Sequence, residues 1–507
     1  MSAGFSDVGD GSSRLLLERQ GTLLRRFLAR SVIPFSKHYA PFAGDLQRIR
    51  CVADLRHLPF TTKRDVQENP RDFILIPDKK ILARRPSTIA QVLWHGRKAV
   101  EQSFEREFRP SFMTFTTGRS AQPLPFIYTA RDMEHLQDAG GRIMQICDAK
   151  RDMKMLNMFP YAPHLAFWLS HYAGTEFGVL MVSSGGGKVA GTEGNLRLIQ
   201  KLAPEVLIGM PTFIYHVLQA AVTRELRCPQ LSKIILGGEK APSGMRRKLK
   251  TLAAQLGAGH VDVLMTYGFT EAKMAWPECP YPDGAASGGF HLYPDLGIIE
   301  IVDPKTGESV GEGRPGEIVF TPLDARGTVV LRYRTGDLID GGLVYEPCPH
   351  CGRHLPRLVG HISRSSEVKE MHLDKLKGTL IDFNELEHVL DNFDSIGAWQ
   401  MELRKAHDDP LDLDELILHV EKLDHSDETH LRQELNERIA SVIEMHPNRI
   451  IFQSAEEMRN LQGVGVQIKE QRLVDHRPKA DPTATGKLPQ NVTGNGHGHA
   501  NGNGVHP

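Results

Sequence analysis

A hydroxyl and a carboxylate stand together at the end of a short apolar run in the middle of the chain. Residues 261–271 read Val-Asp-Val-Leu-Met-Thr-Tyr-Gly-Phe-Thr-Glu. This pattern predicts a buried strand that ends in a turn presenting Thr270 and Glu271. Open α/β sheets bind their ligands at strand ends of this kind, so the turn is a candidate site. An ordinary polar turn explains these residues equally well when they are considered alone.

Four other segments carry residues suited to holding a nucleotide. They are residues 114–119 (Thr-Phe-Thr-Thr-Gly-Arg), 236–242 (Leu-Gly-Gly-Glu-Lys-Ala-Pro), 333–337 (Tyr-Arg-Thr-Gly-Asp) and 485–487 (Thr-Gly-Lys). Hydroxyls, glycine and a cation in one loop can surround phosphate oxygens with backbone and side-chain donors, which suits the first segment. The glycine pair of the second segment follows an apolar run and leaves flat backbone for a close ligand. A structural Ser/Thr turn remains an alternative for the first segment.

The five segments, in this order, resemble the acyl-adenylate-forming superfamily, and most closely its phenylacetate-CoA ligase branch. The resemblance runs from about Leu16 to Lys487. It includes residues 58–65 (Leu-Pro-Phe-Thr-Thr-Lys-Arg-Asp), which are similar to an early segment of that branch. No Walker-type G-x-x-x-x-G-K-[ST] sequence occurs, so the phosphate loop is of a different type.

The resemblance implies an α/β fold with two domains. A large N-terminal adenylate-forming domain of packed sheets and helices is expected over residues 1–363, where ATP and the acid bind. A small mobile α+β lid is expected over residues 364–487, and its apolar periodicity predicts a strand at 416–420 and a helix through Leu431. Residues 488–507 are rich in Gly, Asn and His, and this composition predicts a disordered tail.

The resemblance also implies roles for single residues. Tyr267 would stack on adenine, Asp337 would accept hydrogen bonds from the ribose hydroxyls, and Thr270 would bind phosphate. Glu271 would hold Mg²⁺ against the ATP phosphates. The residues implied in nucleotide binding are Thr116, Thr117, Gly118, Arg119, Gly237, Gly238, Glu239, Tyr267, Gly268, Asp337 and Arg364.

Lys487 is implied as the catalytic lysine, together with Glu271 and Thr270. In the resembling family this lysine enters the ATP site only when the lid closes. A mobile point charge placed between the carboxylate and the α-phosphate would offset the charge that builds up in the transition state. Lys479 is the nearby alternative, and a solvated lysine before a tail is the structural one.

The chain departs from the family pattern at three positions. Phe115 stands where the phosphate loop of the family has its first glycine, and Arg119 replaces a lysine. Ser366 stands where the hinge between the domains has an aspartate. A hinge needs only to absorb backbone rotation, so serine can serve there. Phenylalanine does not enter the positive-φ conformations open to glycine without cost, which affects the expected loop geometry.

Aromatic residues are concentrated between positions 159 and 168. In the resembling family this region lines the acid pocket, and the residues implied are Tyr161, His164, Phe167 and Trp168. Flat apolar side chains would suit an aromatic acid. A core cluster is the alternative for the aromatic residues, and a helix cap is the alternative for His164.

Cys348 and Cys351 form a C-x-x-C knuckle whose sulfurs can face one ion. Two ligands do not complete a structural zinc site. Cys279 and His291 are the candidates to complete it, because they resemble a Cys/His pair in some members of the branch; His350 and His354 are the runners-up. Such a zinc ion would be structural, since four protein ligands leave no open position. Reduced free thiols or a redox pair are the alternatives.

Chain length, net charge and the distribution of apolar residues limit the classes of partner and the cellular compartment that we expect. A chain of 507 residues exceeds what one hydrophobic core usually serves. A formal net charge of -1 gives no electrostatic case for nucleic acid or an anionic membrane as a partner. The polar start of the chain and the lack of a long apolar run favour a cytoplasmic protein. The sequence leaves open whether it is a monomer or a homodimer.

The function predicted from the resemblance is ATP-dependent activation of a carboxylic acid. The acid, aryl or arylalkyl by resemblance, would form an acyl-adenylate and release pyrophosphate, and CoA would then take the acyl group as a thioester. One alternative passes the acyl group to an amine or a carrier-protein thiol. A zinc-stabilised nucleotide-binding protein without ligase activity is the other.

Overall fold

A computed structural model describes most of the chain. The described residues are 13–116, 123–364, 375–376, 379–380, 383–405, 414–423, 427–443, 446–466 and 470–477. Several predicted site residues therefore lie outside the described residues, namely Thr117, Gly118, Arg119, Ser366, Lys479 and Lys487. None of the described helices combines the length and apolar character needed to cross a bilayer.

A six-stranded sheet forms the centre of the N-terminal part. Five strands are parallel and the last is antiparallel. Most of these strands are short and apolar because helices cover the sheet, as is usual for parallel strands. In spatial order the strands are Leu180–Ser183, Lys154–Asn157, Val206–Gly209, Lys233–Leu236, Asp262–Phe269 and Met274–Pro277.

Helices surround this sheet and begin where the sequence places caps. Thr62 caps the helix Lys63–Glu68, and Thr129 with Asp132 forms the capping box of Ala130–Ile146. The first described helix is Ser13–Phe27, which buries Leu16, Leu24 and Phe27. The other helices and helical turns of this part are Leu28–Val32, Ile33–Phe35, Ala40–Phe42, Ala43–Arg48, Val52–His57, Pro70–Phe73, Lys79–Ala83, Pro86–His95, Arg97–Phe108, Leu165–Phe177, Gly186–Val189, Gly191–Leu202, Pro211–Thr223, Ser243–Gln255 and Thr270–Ala272.

Smaller sheets complete the N-terminal part. An antiparallel four-stranded sheet has the order Gly297–Val302, Gly316–Pro322, Tyr333–Ile339, Ile362–Arg364. The remaining strands here form the hairpin Pro110–Phe115 with Pro125–Thr129 and a three-stranded sheet of Leu343–Val344, Arg357–Leu358 and Phe290–His291. Arg364 pairs with Asp337 across the four-stranded sheet, so the first residue of the predicted lid is part of this sheet. The boundary after residue 363 stays a prediction.

The C-terminal part has the predicted α+β character. Its four-stranded sheet has the order Arg449–Gln453, Asp414–Lys422, Ile396–Lys405, Leu473–Asp475. The helices Phe383–Asp391, Glu428–Ile443 and Ala455–Leu461 and the short strands Lys375–Leu376 and Thr379–Leu380 accompany it. Leu431, Leu435 and Ile439 point from the second helix into a core that also holds Trp399. This is the spacing that the sequence predicted.

Polar and apolar contacts join the C-terminal part to the N-terminal part, and Ala398 and Met458 pack in the core of the latter. Lys248 Nζ donates to the carbonyl of Gly397 at 3.0 Å, and Asn392 Oδ1 accepts from the backbone N–H of Gly244 at 3.1 Å. Glu421 accepts from the hydroxyl of Tyr215 at 3.3 Å. Burial lowers the pKa of Lys248 to about 8. The motion of this part as a lid stays a prediction.

Gly244→Ala tests this docking. A Cβ at position 244 would overlap the backbone of Asp391 on the lid, so we expect the substitution to favour the undocked lid. Amide hydrogen exchange over residues 392–398 should become faster by about tenfold or more, which corresponds to about 1.4 kcal/mol. Gly259→Ala is the matched control, because a Cβ there meets nothing within 4 Å. Unchanged exchange in Gly244→Ala would contradict the docking described here.

Candidate functional site

The predicted adenine turn lies at the carboxyl edge of the central sheet. Thr266 Oγ1 donates to the carbonyl of Leu236 at 2.9 Å and so joins two neighbouring strand ends. A Cβ at Gly237 would lie 2.5 Å from Thr266 Oγ1 and 3.4 Å from the ring of Phe159. Gly238 adopts a φ of 80°, which disfavours other residues. The turn therefore requires both glycines, and it leaves its backbone open to a flat ligand.

A hydrogen-bonded group connects this edge to the antiparallel four-stranded sheet that contains Tyr333–Ile339, which we call the second sheet. The hydroxyl of Tyr267 donates to Asp337 Oδ2 at 2.8 Å, and Arg364 Nε lies 3.2 Å from Asp337 Oδ1. Asp337 is buried, whereas the Arg364 side chain is 55% exposed. Burial raises the pKa of Tyr267, so its hydroxyl stays protonated and donates. Three predicted nucleotide-binding residues are thus in contact, and the Asp337 carboxylate is held in one orientation.

Glu271 lies in the turn that follows the same strand. Its Oε1 accepts from the hydroxyl of Tyr333 at 2.7 Å. Burial raises the pKa of Glu271, because the ionised carboxylate is poorly solvated there. A cation beside this carboxylate would offset the cost of burying its charge, so the position suits Mg²⁺. Tyr333 opens the Tyr-Arg-Thr-Gly-Asp segment, but the sequence alone assigned it no partner.

A buried ion pair supports the Glu271 turn and was not predicted. Lys273 adopts a left-handed backbone with φ 60°, and its Nζ lies 3.0 Å from Asp132 Oδ1. Asp132 also accepts from the backbone N–H groups of Thr129 at 2.9 Å and Gly327 at 2.7 Å. Burial opposes ionisation of Asp132, but Lys273 and these hydrogen bonds bring its pKa below the ordinary value. The capping box at Thr129 was recognisable from the sequence, whereas its pairing with a lysine after Glu271 was not.

This ion pair also reaches the strand that leads to the phosphate loop. Lys273 Nζ lies 4.8 Å from the ring centroid of Tyr128, a cation–π contact. Tyr128 and Thr114 join the two strands of the hairpin through a hydroxyl hydrogen bond of 3.2 Å. Asp132 and Lys273 therefore fix the Glu271 turn relative to the hairpin that carries residues 114–116.

Only the start of the predicted phosphate loop is described. Thr116 Oγ1 accepts from the backbone N–H of Leu124 at 3.1 Å, which closes the hairpin at the base of the loop. Phe115 is the last residue of its strand, and its N–H donates to the carbonyl of Pro163 at 2.7 Å. Phe115 is not one of the described residues that have a positive φ. Phenylalanine at this position is therefore compatible with the extended backbone.

The aromatic segment lies next to this hairpin. His164 Nδ1 lies 3.0 Å from the carbonyl oxygen of Phe115. His164 precedes the helix Leu165–Phe177 but makes no side-chain cap, so the capping alternative is not what the structure shows. Phe167 packs edge to face against Tyr161 and Trp168, with ring centroids 5.1 and 5.2 Å apart. Phe167 is buried and Tyr161 is 61% exposed, so the cluster extends from the core to the surface.

The four predicted metal ligands lie together. Their ligand atoms, from Cys279, His291, Cys348 and Cys351, are all within 4.8 Å of one another. Cys279 Sγ lies 3.6 Å from Cys348 Sγ, and Cys351 Sγ lies 3.7 Å from His291 Nε2. A tetrahedral ion with Zn–S bonds of about 2.3 Å has ligand separations of about 3.8 Å, so the spacing fits.

The runner-up ligands are not part of this cluster. The ring of His350 bonds to the carbonyl of Ala286 through Nε2 at 2.9 Å, and His354 is exposed. The Nδ1 atom of His291 is buried and has no hydrogen-bond partner among the described residues. Its Nε2 atom is the one that faces the cysteines, so His291 would bind an ion through Nε2.

Comparison with known proteins assigns the sequence to one family. A family model described as AMP-binding enzyme matches residues 43–322, which is more than half of the chain. The phenylacetate-coenzyme A ligase of Thermus thermophilus is 25% identical over 340 residues, 66% of this chain and 67% of that protein. The enzyme of the same name from Pseudomonas putida is 24% identical over 60% of this chain and 61% of its own length.

Solved structures with the same fold span nearly the whole chain. A 2-hydroxyisobutyryl-CoA ligase in the postadenylation state, in complex with 2-HIB-AMP, has a TM-score of 0.70 at 16% identity. The match covers 92% of this chain and 90% of that one. The same ligase in the thioesterification state has a TM-score of 0.56. The likeness confirms the predicted α/β adenylate-forming fold.

Lys273→Met tests the support of the Glu271 turn. Removing one partner of a buried ion pair should lower the free energy of unfolding by about 3–5 kcal/mol. The matched control is Lys233→Met, because Lys233 Nζ lies 2.9 Å from Asp262 at the amino ends of neighbouring strands. Both variants should lose stability, but only Lys273→Met should weaken MgATP binding, by about tenfold or more in calorimetric titration. Equal ATP affinity in the two variants would show that the Lys273 pair serves stability alone.

Proposed function

Because the chain belongs to the family of AMP-binding enzymes, we propose that it is an AMP-forming acid–CoA ligase. The observation that carries the proposal is the contact of Tyr267, Asp337 and Arg364 beside the Gly237–Gly238 turn. A flat base can lie against glycine backbone, and a fixed carboxylate can accept hydrogen bonds from two ribose hydroxyls. The phenylacetate-coenzyme A ligases of similar sequence support the same reaction class.

The proposed reaction has two steps. In the first, a carboxylate oxygen of the acid attacks the α-phosphorus of ATP, the bond to the β-phosphate oxygen breaks, and pyrophosphate leaves. In the second, the thiol sulfur of CoA attacks the acyl carbon, loses its proton, and displaces AMP. Mg²⁺, when bound at Glu271, would neutralise phosphate charge, and Tyr333 orients that carboxylate.

Lys487 is proposed as the residue that stabilises the first transition state. It lies outside the described residues, and the proposal rests on the family resemblance of residues 485–487. Negative charge increases between the attacking carboxylate and the α-phosphate, and an ammonium group delivered there stabilises it. Asp337 and Arg364 are proposed to hold the nucleotide in place meanwhile.

An aryl or arylalkyl acid is the proposed substrate class. The edge-to-face cluster of Tyr161, Phe167 and Trp168 offers flat apolar surface, and His164 joins it to the start of the phosphate loop. Aromatic pairs favour a further ring in offset or edge-to-face geometry. CoA is the proposed acceptor, and a cytoplasmic location stays a prediction.

A structural zinc ion is proposed at Cys279, His291, Cys348 and Cys351. The ligand spacing and the chemistry of the set, three thiols and one imidazole, support it. All four positions of a tetrahedral ion would be filled by protein atoms, so no position remains for catalysis. The ion would join the chain that follows Glu271 to the loop between the strands Leu343–Val344 and Arg357–Leu358.

Pyrophosphate exchange into ATP tests the adenylation step. With a panel of aryl, arylalkyl and aliphatic acids, we expect exchange with the aryl or arylalkyl class. Lys487→Ala should lower the rate by about 100-fold or more while MgATP binding is kept. Lys479→Ala is the matched control and should retain activity. Adding CoA should then yield a thioester. Exchange that is unaffected by Lys487→Ala would contradict the role of this lysine, and no exchange with any acid would contradict the ligase proposal.

Metal analysis of the purified chain tests the zinc proposal. We expect about one zinc ion per chain, lost in Cys351→Ser together with thermal stability, because the ion contributes folding energy. Cys228→Ser is the control, since Cys228 is a buried cysteine outside the cluster. Wild-type protein without zinc, or equal zinc content in Cys351→Ser, would contradict the site.

A further inference from the structure

Exposed apolar side chains are concentrated in one stretch of the N-terminal part. Among the described residues, many of the large apolar side chains that face solvent lie between positions 76 and 94. Leu93 is 80% exposed and Trp94 is 86% exposed. The others in this stretch are Ile76, Ile81 and Ile89. Large apolar side chains that cluster at a surface mark an interaction site more often than isolated ones do.

The helix Pro86–His95, which carries Ile89, Leu93 and Trp94, is exposed over most of its surface. It buries Thr88 and half-buries Val92, and the rest of its side chains are exposed or nearly so. Proline at its first position and Gly96 with φ 80° at its end define the helix clearly. Few apolar contacts hold it to the body, so its exposed face is not explained by core packing.

Positive charge surrounds the same helix. Residues 76–98 contain six Lys and Arg residues and one acidic residue, Asp78, in a chain whose formal net charge is -1. The Asp78 carboxylate accepts from the backbone N–H of Lys80. Arg85 is turned towards the body, where it donates to the carbonyl of Arg30, and Arg97 pairs with Glu101. The exposed cations that remain are Lys79, Lys80, Arg84 and Lys98.

We propose that these residues form a basic–apolar surface, consisting of Ile76, Ile81, Ile89, Leu93, Trp94, Lys79, Lys80, Arg84 and Lys98, that binds a lipid bilayer with anionic headgroups. Leu93 and Trp94 enter the boundary between headgroups and acyl chains, where Trp is favoured. The cations contact the headgroups, and salt screens this attraction. The protein rests on the bilayer and does not span it.

Charge decides between this partner and a second copy of the chain. A two-fold interface places the same patch on both sides, so the cations of one copy would face those of the other. An anionic bilayer is complementary in charge. The apolar residues are also spread over a loop and two consecutive helices, which suits a broad surface better than a narrow groove in an acidic protein.

The net charge of the whole chain gave no electrostatic case for an anionic membrane, but the charge of this surface does. The net charge of -1 averages the whole chain, whereas electrostatic attraction to a surface is limited by a Debye length of about 8 Å at physiological salt. The local charge of residues 76–98, which is positive despite Asp78, is therefore what a bilayer would meet. The inference does not depend on the proposed ligase function.

Vesicle flotation of the full chain tests the proposal. The vesicles are phosphatidylcholine alone, or phosphatidylcholine with about one third phosphatidylglycerol. Wild-type protein should float with the anionic vesicles only, and less so at high salt. Leu93→Ser with Trp94→Ser, and separately Lys79→Glu with Lys80→Glu, should each lower the bound fraction by about tenfold or more. Leu180→Ser is the matched control, since Leu180 is 60% exposed at the edge of the central sheet.

Thermal unfolding of every variant checks that the fold is kept, and pyrophosphate exchange should be unchanged. No flotation of the wild type at low salt, or equal flotation of the double variants, would overturn the proposal. Light scattering that shows a dimer in the wild type and a monomer in the Leu93→Ser, Trp94→Ser variant would assign the surface to a second copy instead. Capture of an acidic protein without binding to vesicles would likewise overturn it.

Discussion

The hydrogen bond from Tyr267 to the buried Asp337 is the contact on which the arrangement of the site depends. Tyr267 belongs to the central parallel sheet and Asp337 to the antiparallel sheet beside it. Arg364, at the end of that second sheet, completes the group. A buried carboxylate must have partners, so this constraint fixes the two sheets at one relative position. The glycine turn and the Glu271 turn both lie along the edge that results.

Two further contacts repeat the same connection between sheets. Tyr333 of the second sheet donates to Glu271, which follows the strand of Tyr267. The cysteine and histidine cluster brings the chain after Glu271 against the loop between Leu343–Val344 and Arg357–Leu358. The buried Asp132–Lys273 pair adds the hairpin that leads to the phosphate loop. The site is thus assembled from four chain segments, each held by a polar contact that has little water to compete with it.

The C-terminal part is joined to the N-terminal part by both polar and apolar contacts. Hydrogen bonds link Lys248 with Gly397 and Asn392 with Gly244. Ala398 and Met458 pack in the core of the N-terminal part, while other apolar side chains form a second core around Trp399. Within the site, the buried pairs would lose their partners if the two sheets separated.

The sequence by itself determined the elements whose signals are local. Strand periodicity, the capping box at Thr129 and the order of the motifs gave the strand before Glu271, the Gly237–Gly238 turn and the family of the fold. The tertiary structure alone decided which buried charge meets which partner, as for Asp132 with Lys273. It also decided that the helix carrying Trp94 faces solvent. The physical reason is that spacing encodes which face of an element is apolar, whereas pairing and exposure depend on what the folded chain brings against that face.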